Sequence, residues 1–146
     1  MGRRLAGWRA LSRGERTRLV ACLLLLPVLH LALALAGYRR TLRWVEALTR
    51  RRQPHPASPA EIDAARALAR LAAIAGRHGV VDATCLRQSL LVLGWLRLRG
   101  LQPQLQLGMK PMAGPFQAHA WIELEGQRLL STDAEHQTFR DPRAAG

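Results

Sequence analysis

The chain has 146 residues and a net charge of +12, with 49% hydrophobic and 5% aromatic residues. This length is enough for one domain with a real core, or for a small domain with an appendage. The aromatic residues are too few and too scattered to form stacking platforms for single-stranded nucleic acid, so we exclude nucleic acid as a partner.

The positive charge is concentrated in the first third of the chain. Residues 1–52 hold twelve arginines and two acids, a net charge of +10, whereas the remainder holds ten Lys or Arg and eight acids, a net charge of +2. Such asymmetry is typical of a contact with a membrane surface. The bias towards Arg, Ala and Leu throughout the chain is an alternative explanation for most of this charge.

The first predicted helix follows Ser12, which forms a capping box with Glu15, and runs into the uncharged apolar segment Leu19–Gly37. That segment is just long enough to span a bilayer. Pro27 interrupts it, however, and arginines flank both of its ends, so there is no clear positive-inside bias. We expect a buried or interfacial helix. A membrane span and a secretory signal peptide, indicated by the Ala-Leu-Ala tripeptide near its end, are the alternatives.

A second helix is predicted over Tyr38–Arg50, with Leu42, Val45 and Leu48 on one side. Residues 53–60 contain three prolines and form a linker. The chain is thereby divided into a basic, apolar helical region over residues 1–52 and a main domain over residues 61–146. The next helix begins at Ser58, an N-cap that is followed by proline, and we expect it to end at Gly76.

The main domain combines a core helix with antiparallel strands. The core helix runs from about Thr84 to Arg99 and is apolar nearly all round, so we expect it to be buried. The pattern then changes to alternation, which predicts strands over Gln104–Gly108 and Ala118–Leu124. A turn at residues 125–126 leads into a returning arm, residues 127–132. The order of these elements predicts an α+β fold.

Cys85 and His119 are the candidate catalytic residues. Cys85 lies in the first turn of the core helix, after the cap residues Asp82 and Thr84, where the helix dipole and unpaired N–H groups favour a thiolate. His119 shares one face of its strand with Trp121. A histidine beside the thiol can hold its proton, which gives an activated nucleophile of the kind found in cysteine hydrolases and acyl transferases.

The second cysteine, Cys22, lies in the apolar run and is interpreted as a core or lipid-facing residue. The sequence leaves a Cys22–Cys85 disulfide open, but the different settings of the two thiols favour a reducing compartment with one functional thiol. No CxxC or Cys/His spacing indicates a metal site, and no cofactor is implied.

The strings around the two candidate residues resemble a known family. The chain is similar to the transglutaminase-like cysteine protease superfamily in two motifs. The first is Cys-Leu-x-x-Ser-Leu on a helix, and the second, which follows a strand, is Phe-x-Ala-His-Ala-Trp-Ile-Glu. Within it, residues 80–135 resemble the leader peptidases of lasso-peptide biosynthesis, the B proteins. The resemblance implies a papain-like core in which a helix carrying Cys packs on an antiparallel sheet carrying His.

The activity that the resemblance implies is removal of the leader from a ribosomally made precursor peptide in the cytoplasm. A separate lasso cyclase then closes the ring. The pattern of the N-terminal region predicts helices and contains no series of strands that would form a leader-recognition domain. The resemblance is therefore to the stand-alone form of these peptidases, which needs a separate leader-recognition protein. A membrane-surface contact through the N-terminal helices is a further expectation.

By the same resemblance Cys85 is the nucleophile, His119 is the general base and acid, and an aspartate after the hairpin turn orients the histidine. The usual position of that aspartate corresponds to Ser131, and the nearest acid is Asp133, which a two-residue shift keeps on the same strand face.

The register of the hairpin bears on this third residue. A two-residue turn places His119 opposite Thr132, so a bulge is needed to bring Asp133 opposite the histidine. Glu135 or a backbone carbonyl is the alternative. The Cys85 N–H is a natural oxyanion donor, with the Gln117 side chain as a candidate partner. Two aromatic residues either line the peptide groove or belong to the core, namely Phe116 and Trp121.

Two other functions stay open at this point. The first is a transglutaminase-like amidase or acyl transferase that acts on another peptide. The second is a catalytically inactive, membrane-associated scaffold that uses its basic helices as an anchor.

Overall fold

The computed structural model describes residues 8–50, 53–79, 84–110 and 117–129. In this part of the chain three helices precede a three-stranded antiparallel sheet of order β1-β2-β3, which confirms the predicted α+β class. The elements are α1 (Arg13–Thr49), α2 (Pro59–His78), α3 (Cys85–Leu98), β1 (Gln104–Lys110), β2 (Gln117–Leu124) and β3 (Gln127–Arg128).

Helix α1 begins with the predicted capping box. The Ser12 hydroxyl accepts from the Glu15 N–H at 3.2 Å, and the Glu15 carboxylate accepts from the Ser12 N–H at 2.8 Å. The helix continues through Pro27 and breaks at Gly37, whose φ of 75° and ψ of 170° are not helical. Glycine adopts a positive φ without the steric cost that a Cβ brings. The break confirms the predicted division into two helices at this position.

In the second half of α1, Leu42 and Val45 pack against the core, whereas Leu48 is 76% exposed. Thr41 and Thr49 are buried instead, each with its hydroxyl donating to a carbonyl one turn earlier, at 2.9 and 2.8 Å. These bonds satisfy the hydroxyl groups, so the short threonine side chains can be buried against the domain.

Hydrogen bonds join the proline-rich linker to the chain just after α3 and to the hairpin turn. The His55 N–H donates to the Gly100 carbonyl at 2.9 Å, and the Ala57 N–H donates to the Glu125 carboxylate at 3.0 Å. His55 is exposed, as expected for a loop residue, and its Nε2 lies 3.0 Å from Oε1 of Glu61. The linker therefore bridges the start of α2, the end of α3 and the tip of the hairpin.

Helix α2 begins as predicted, with Ser58 as N-cap, Pro59 as its first residue and a capping box to Glu61. Its predicted end at Gly76 was wrong, because the helix continues to His78 and Gly79 donates its N–H to the Ala75 carbonyl at 2.8 Å. Gly76 is buried inside the helix, so packing rather than chain termination explains the glycine there.

The Glu61 carboxylate makes the stability of the N-terminus of α2 depend on pH. Hydrogen bonds from the Ser58 backbone, from the His55 ring and from the Ser58 hydroxyl lower the pKa of Glu61 from 4.5 to about 2. A lowered folded-state pKa adds stability above the unfolded pKa and loses it as pH falls towards the folded value. We expect Glu61→Gln to lower the melting temperature by a few degrees at pH 7.

Thermal unfolding followed by circular dichroism at a series of pH values tests this expectation. The difference between wild type and Glu61→Gln should shrink as pH falls from about 4.5 towards 2. Asp63→Asn is the matched control, because Asp63 is exposed and forms an ion pair with Arg66 at 3.6 Å. If the difference in melting temperature between wild type and Glu61→Gln does not change with pH, the carboxylate charge is not the stabilising feature.

A single hydrophobic cluster joins α1, α2, α3 and the sheet, and α3 lies at its centre, as predicted. Within α3 the residues at most 2% exposed include Leu90, Val92, Leu93 and Leu96. The cluster also includes Leu19, Cys22 and Leu26 of α1, Leu68, Ala69 and Ala72 of α2, and Ile122 and Leu124 of β2. Helix α1 thus packs on the same core as the later elements, and the division at residues 52 and 61 stays a prediction.

The sheet has the predicted hairpin. Leu124 pairs with Gln127 across a two-residue turn in which Glu125 and Gly126 have φ values of 49° and 72°. Two positive φ values in sequence are those of a type I′ turn, whose twist matches that of the strands. The Leu129 N–H donates to the Ile122 carbonyl at 3.0 Å, so this register holds without a bulge as far as the hairpin is described.

Candidate active site

Cys85 is the first residue of α3, as predicted, and Thr84 is the N-cap with extended backbone angles. The first helical hydrogen bond runs from the Gln88 N–H to the Thr84 carbonyl at 3.2 Å. The Thr84 side chain makes no capping hydrogen bond, unlike the serines that cap α1 and α2. The half-buried thiol therefore lies at the positive end of a buried helix.

The thiol of Cys85 contacts β2 directly. The Ala120 N–H donates to Sγ at 3.4 Å, across 35 residues of sequence. A backbone N–H directed at sulfur stabilises negative charge on it.

This contact places Cys85 beside His119, the residue that precedes Ala120 and whose Cα therefore lies about 3.8 Å from that of Ala120. His119 pairs with Gly108 of β1 and is half-buried. The side chains of Ala120 and Ile122 alternate with it and are buried on the other face, as the sequence pattern predicts. Helix α3 and strand β2 thus bring the Cys85 thiol to the backbone of the residue that follows His119, while the catalytic roles of Cys85 and His119 stay predictions.

The imidazole of His119 stacks on the indole of Trp121, with ring centroids 5.8 Å apart and 24° between the planes. Trp121 is only 7% exposed, and its indole N–H donates to the Glu123 carboxylate at 3.0 Å. Of the two readings that the sequence left open for Trp121, the buried position matches the core reading. The stack restricts how the imidazole can turn.

Two further residues fix the position of Trp121, and the sequence did not single out either. A Cβ added to Gly108 would lie 2.8 Å from Cζ3 of Trp121, so the ring covers the glycine directly. The guanidinium of Arg128 lies 4.3 Å from the centroid of the same ring. A glycine inside a strand often marks such a close approach, and this was the available signal.

Cys22 differs from Cys85 in its burial and in its surroundings. Cys22 and Cys85 do not form a disulfide with each other, which answers the question left open by the sequence. Cys22 is fully buried against the core, and burial raises the pKa of its thiol to about 11. A buried thiol of this kind is chemically inert at neutral pH.

Several predicted site residues lie outside the part of the chain that the structure describes. These are Asp82, Phe116, Ser131, Thr132, Asp133, Glu135 and the side chain of Gln117. The role of Asp133 as orienting group therefore stays a prediction. Within the described segments no group of three or more His, Cys, Asp or Glu side chains is arranged to hold a metal ion.

Comparison with known proteins gives one match. A family model described as the transglutaminase-like superfamily matches residues 25–142, which is most of the chain and includes both Cys85 and His119. No curated protein and no solved structure matches the chain significantly.

Proposed function

The chain belongs to the transglutaminase-like superfamily, and on that premise we propose that it is a cysteine peptidase that removes the leader from a ribosomally made lasso-peptide precursor. The observation that carries the proposal is the thiol of Cys85, at a helix N-terminus, hydrogen-bonded to the backbone next to His119. The specific substrate follows from the resemblance of residues 80–135 to the leader peptidases.

The reaction proceeds in two steps. The Cys85 thiolate adds to the scissile carbonyl, the C–N bond breaks, and His119 gives its proton to the leaving amine. Water then adds to the thioester with His119 as base, which releases the carboxylate and restores the thiol. The backbone N–H of Cys85 donates to the oxyanion.

We assign the orientation of His119 to two groups. The stack on Trp121 restricts the imidazole ring. Asp133 is the proposed acceptor for its second N–H, which fixes the tautomer that catalysis needs.

The proposed enzyme works in the cytoplasm with other proteins. A leader-recognition protein presents the precursor, and a lasso cyclase uses the product. A cysteine nucleophile must stay reduced, and the absence of a disulfide between Cys22 and Cys85 is consistent with a reducing compartment.

Mass spectrometry of the precursor peptide tests the proposal. The peptide is incubated with this protein and the recognition protein in water enriched in heavy oxygen, alongside the Cys85→Ala variant. We expect one cut at the leader–core junction, with one heavy oxygen in the new carboxylate, and none with the variant. A product joined to an added amine instead of water would identify an acyl transferase. No cut, with wild type folded and bound to the peptide, would overturn the peptidase proposal and favour the scaffold.

Gly108→Ala is expected to lower kcat/KM for this cleavage by between about 10-fold and 100-fold. The new Cβ would lie 2.8 Å from the Trp121 ring, so the ring must move, and the stacked imidazole moves with it. Displacements of this size at a catalytic group typically have effects of that order.

The matched control for Gly108→Ala is Gly14→Ala, where an added Cβ meets nothing within 4 Å. Steady-state kinetics of peptide cleavage and tryptophan fluorescence report on both variants. Unchanged cleavage by a folded Gly108→Ala protein would show that the position of Trp121 is not important to His119.

A further inference from the structure

The two sides of α1 have opposite environments although both are apolar. Leu19, Cys22 and Leu26 face the core and are at most 6% exposed. Five residues on the other side are 42–79% exposed, and we call them the outer stripe: Val20, Leu24, Val28, Leu31 and Leu35. Their spacing of three and four residues puts them on one helix face, over about 22 Å at 1.5 Å per residue.

The outer stripe is unusual for a soluble protein. Monomeric proteins seldom expose a large contiguous apolar patch, and such patches commonly mark contacts with proteins or membranes. The helix is long and apolar enough to cross a membrane by length and composition. In this fold, however, the other face of α1 packs against α2 and α3 in the core, so the helix is not available to cross a membrane.

The charges at the ends of the stripe indicate what covers it. Glu15 and Glu46 are the first acids on either side, and both are engaged, with Ser12 and with Arg97 respectively. Arginines precede and follow the stripe: Arg13, Arg16 and Arg18 on one side, and Arg39, Arg40 and Arg43 on the other. A surface that covers the stripe therefore meets positive charge at both ends.

A second copy of the chain does not fit this charge pattern. In a two-fold dimer the outer stripes would pair either antiparallel or parallel. Antiparallel pairing sets the first arginine group of one copy against the second group of the other, and parallel pairing sets each group against itself. Both arrangements bring like charges together, whereas an anionic surface would attract both groups.

We propose that α1 docks this protein on the surface of an anionic lipid bilayer, with the helix in the plane of the interface. The outer stripe enters the boundary between headgroups and acyl chains, and the arginines contact lipid phosphates. Trp8 and Trp44, which are 38% and 52% exposed near the two arginine groups, have the amphipathic rings that favour this depth. The proposal does not depend on the peptidase activity.

Vesicle flotation of the full chain tests the proposal. We expect binding to vesicles of equal parts phosphatidylglycerol and phosphatidylcholine, and much weaker binding to phosphatidylcholine alone. Leu24→Glu with Leu31→Glu places two charges in the outer stripe without touching the core and should lower the partition coefficient by tenfold or more. Removing three arginines as Arg39→Gln, Arg40→Gln and Arg43→Gln should lower it by roughly a hundredfold.

The matched control is Leu98→Glu with Leu107→Glu, two leucines that are 52% and 59% exposed outside α1. This control should bind the vesicles like wild type, and circular dichroism checks that every variant is folded. Failure of wild type to float with anionic vesicles would overturn the proposal, as would equal binding by the outer-stripe variant. A wild-type dimer in light scattering that the outer-stripe variant dissociates would identify a second copy as the occupant instead.

Discussion

Cys85→Ala is expected to lower the rate of precursor cleavage by at least about 10⁴-fold, the largest effect of any single substitution in this chain. In the proposed mechanism the sulfur is the protein atom that forms the covalent bond to the carbonyl carbon of the substrate. Its loss removes one hydrogen bond to Ala120 and leaves the surrounding core residues of α3 unchanged. The melting temperature should therefore change little.

Cys22→Ala is the matched control for this prediction. Cys22 is buried against the core and its raised pKa keeps it protonated, so its removal should affect stability and not cleavage. Alkylation of the native protein by iodoacetamide, mapped by mass spectrometry, should modify Cys85 in preference to Cys22. Cleavage that persists in Cys85→Ala at more than a trace level would show that another group is the nucleophile.

His119→Ala is expected to lower cleavage by about 10³-fold, in the range typical for loss of a general acid and base. The substitution also removes the ring that stacks on Trp121, and the space it leaves can admit a small base. Imidazole added to the assay should restore part of the rate in this variant. A purely structural role for His119 would not respond to imidazole in this way.

His78→Ala provides the comparison for this second prediction. His78 is an exposed residue in the last turn of α2, and its loss should leave both the rate and the imidazole response at wild-type values. A folded His119→Ala protein with full activity would remove histidine from the mechanism and leave Cys85 without its proposed partner.

The sequence predicted those features that depend on neighbours along the chain. Ser12 and Ser58 each stand three residues before a glutamate, and both capping boxes form. The alternation around His119 predicted strand β2 and its buried face, and the Glu-Gly pair predicted the two-residue turn. These patterns are local, so one sequence is enough to read them.

Features that depend on contacts between distant elements were missed. Gly108 and Trp121 meet only because β1 pairs with β2 in one register, which no single segment encodes. A glycine after an apolar helix face predicts a helix end at Gly76, but Gly76 is buried within α2, which continues to His78. The burial of Thr41 and Thr49 was not predicted either, although hydrogen bonds to their own helix satisfy their hydroxyls.

The contacts that complete this fold span long stretches of sequence. Cys85 and Ala120 are 35 residues apart, Arg66 and Gln127 are 61 residues apart, and Ala57 and Glu125 are 68 residues apart. During synthesis the three helices leave the ribosome before the strands that they pack on. The hairpin must emerge before Ala120 can reach the thiol, so a nascent chain carries Cys85 without its strand partner. The reactive centre is therefore assembled only after strand β2 has followed the three helices out of the ribosome.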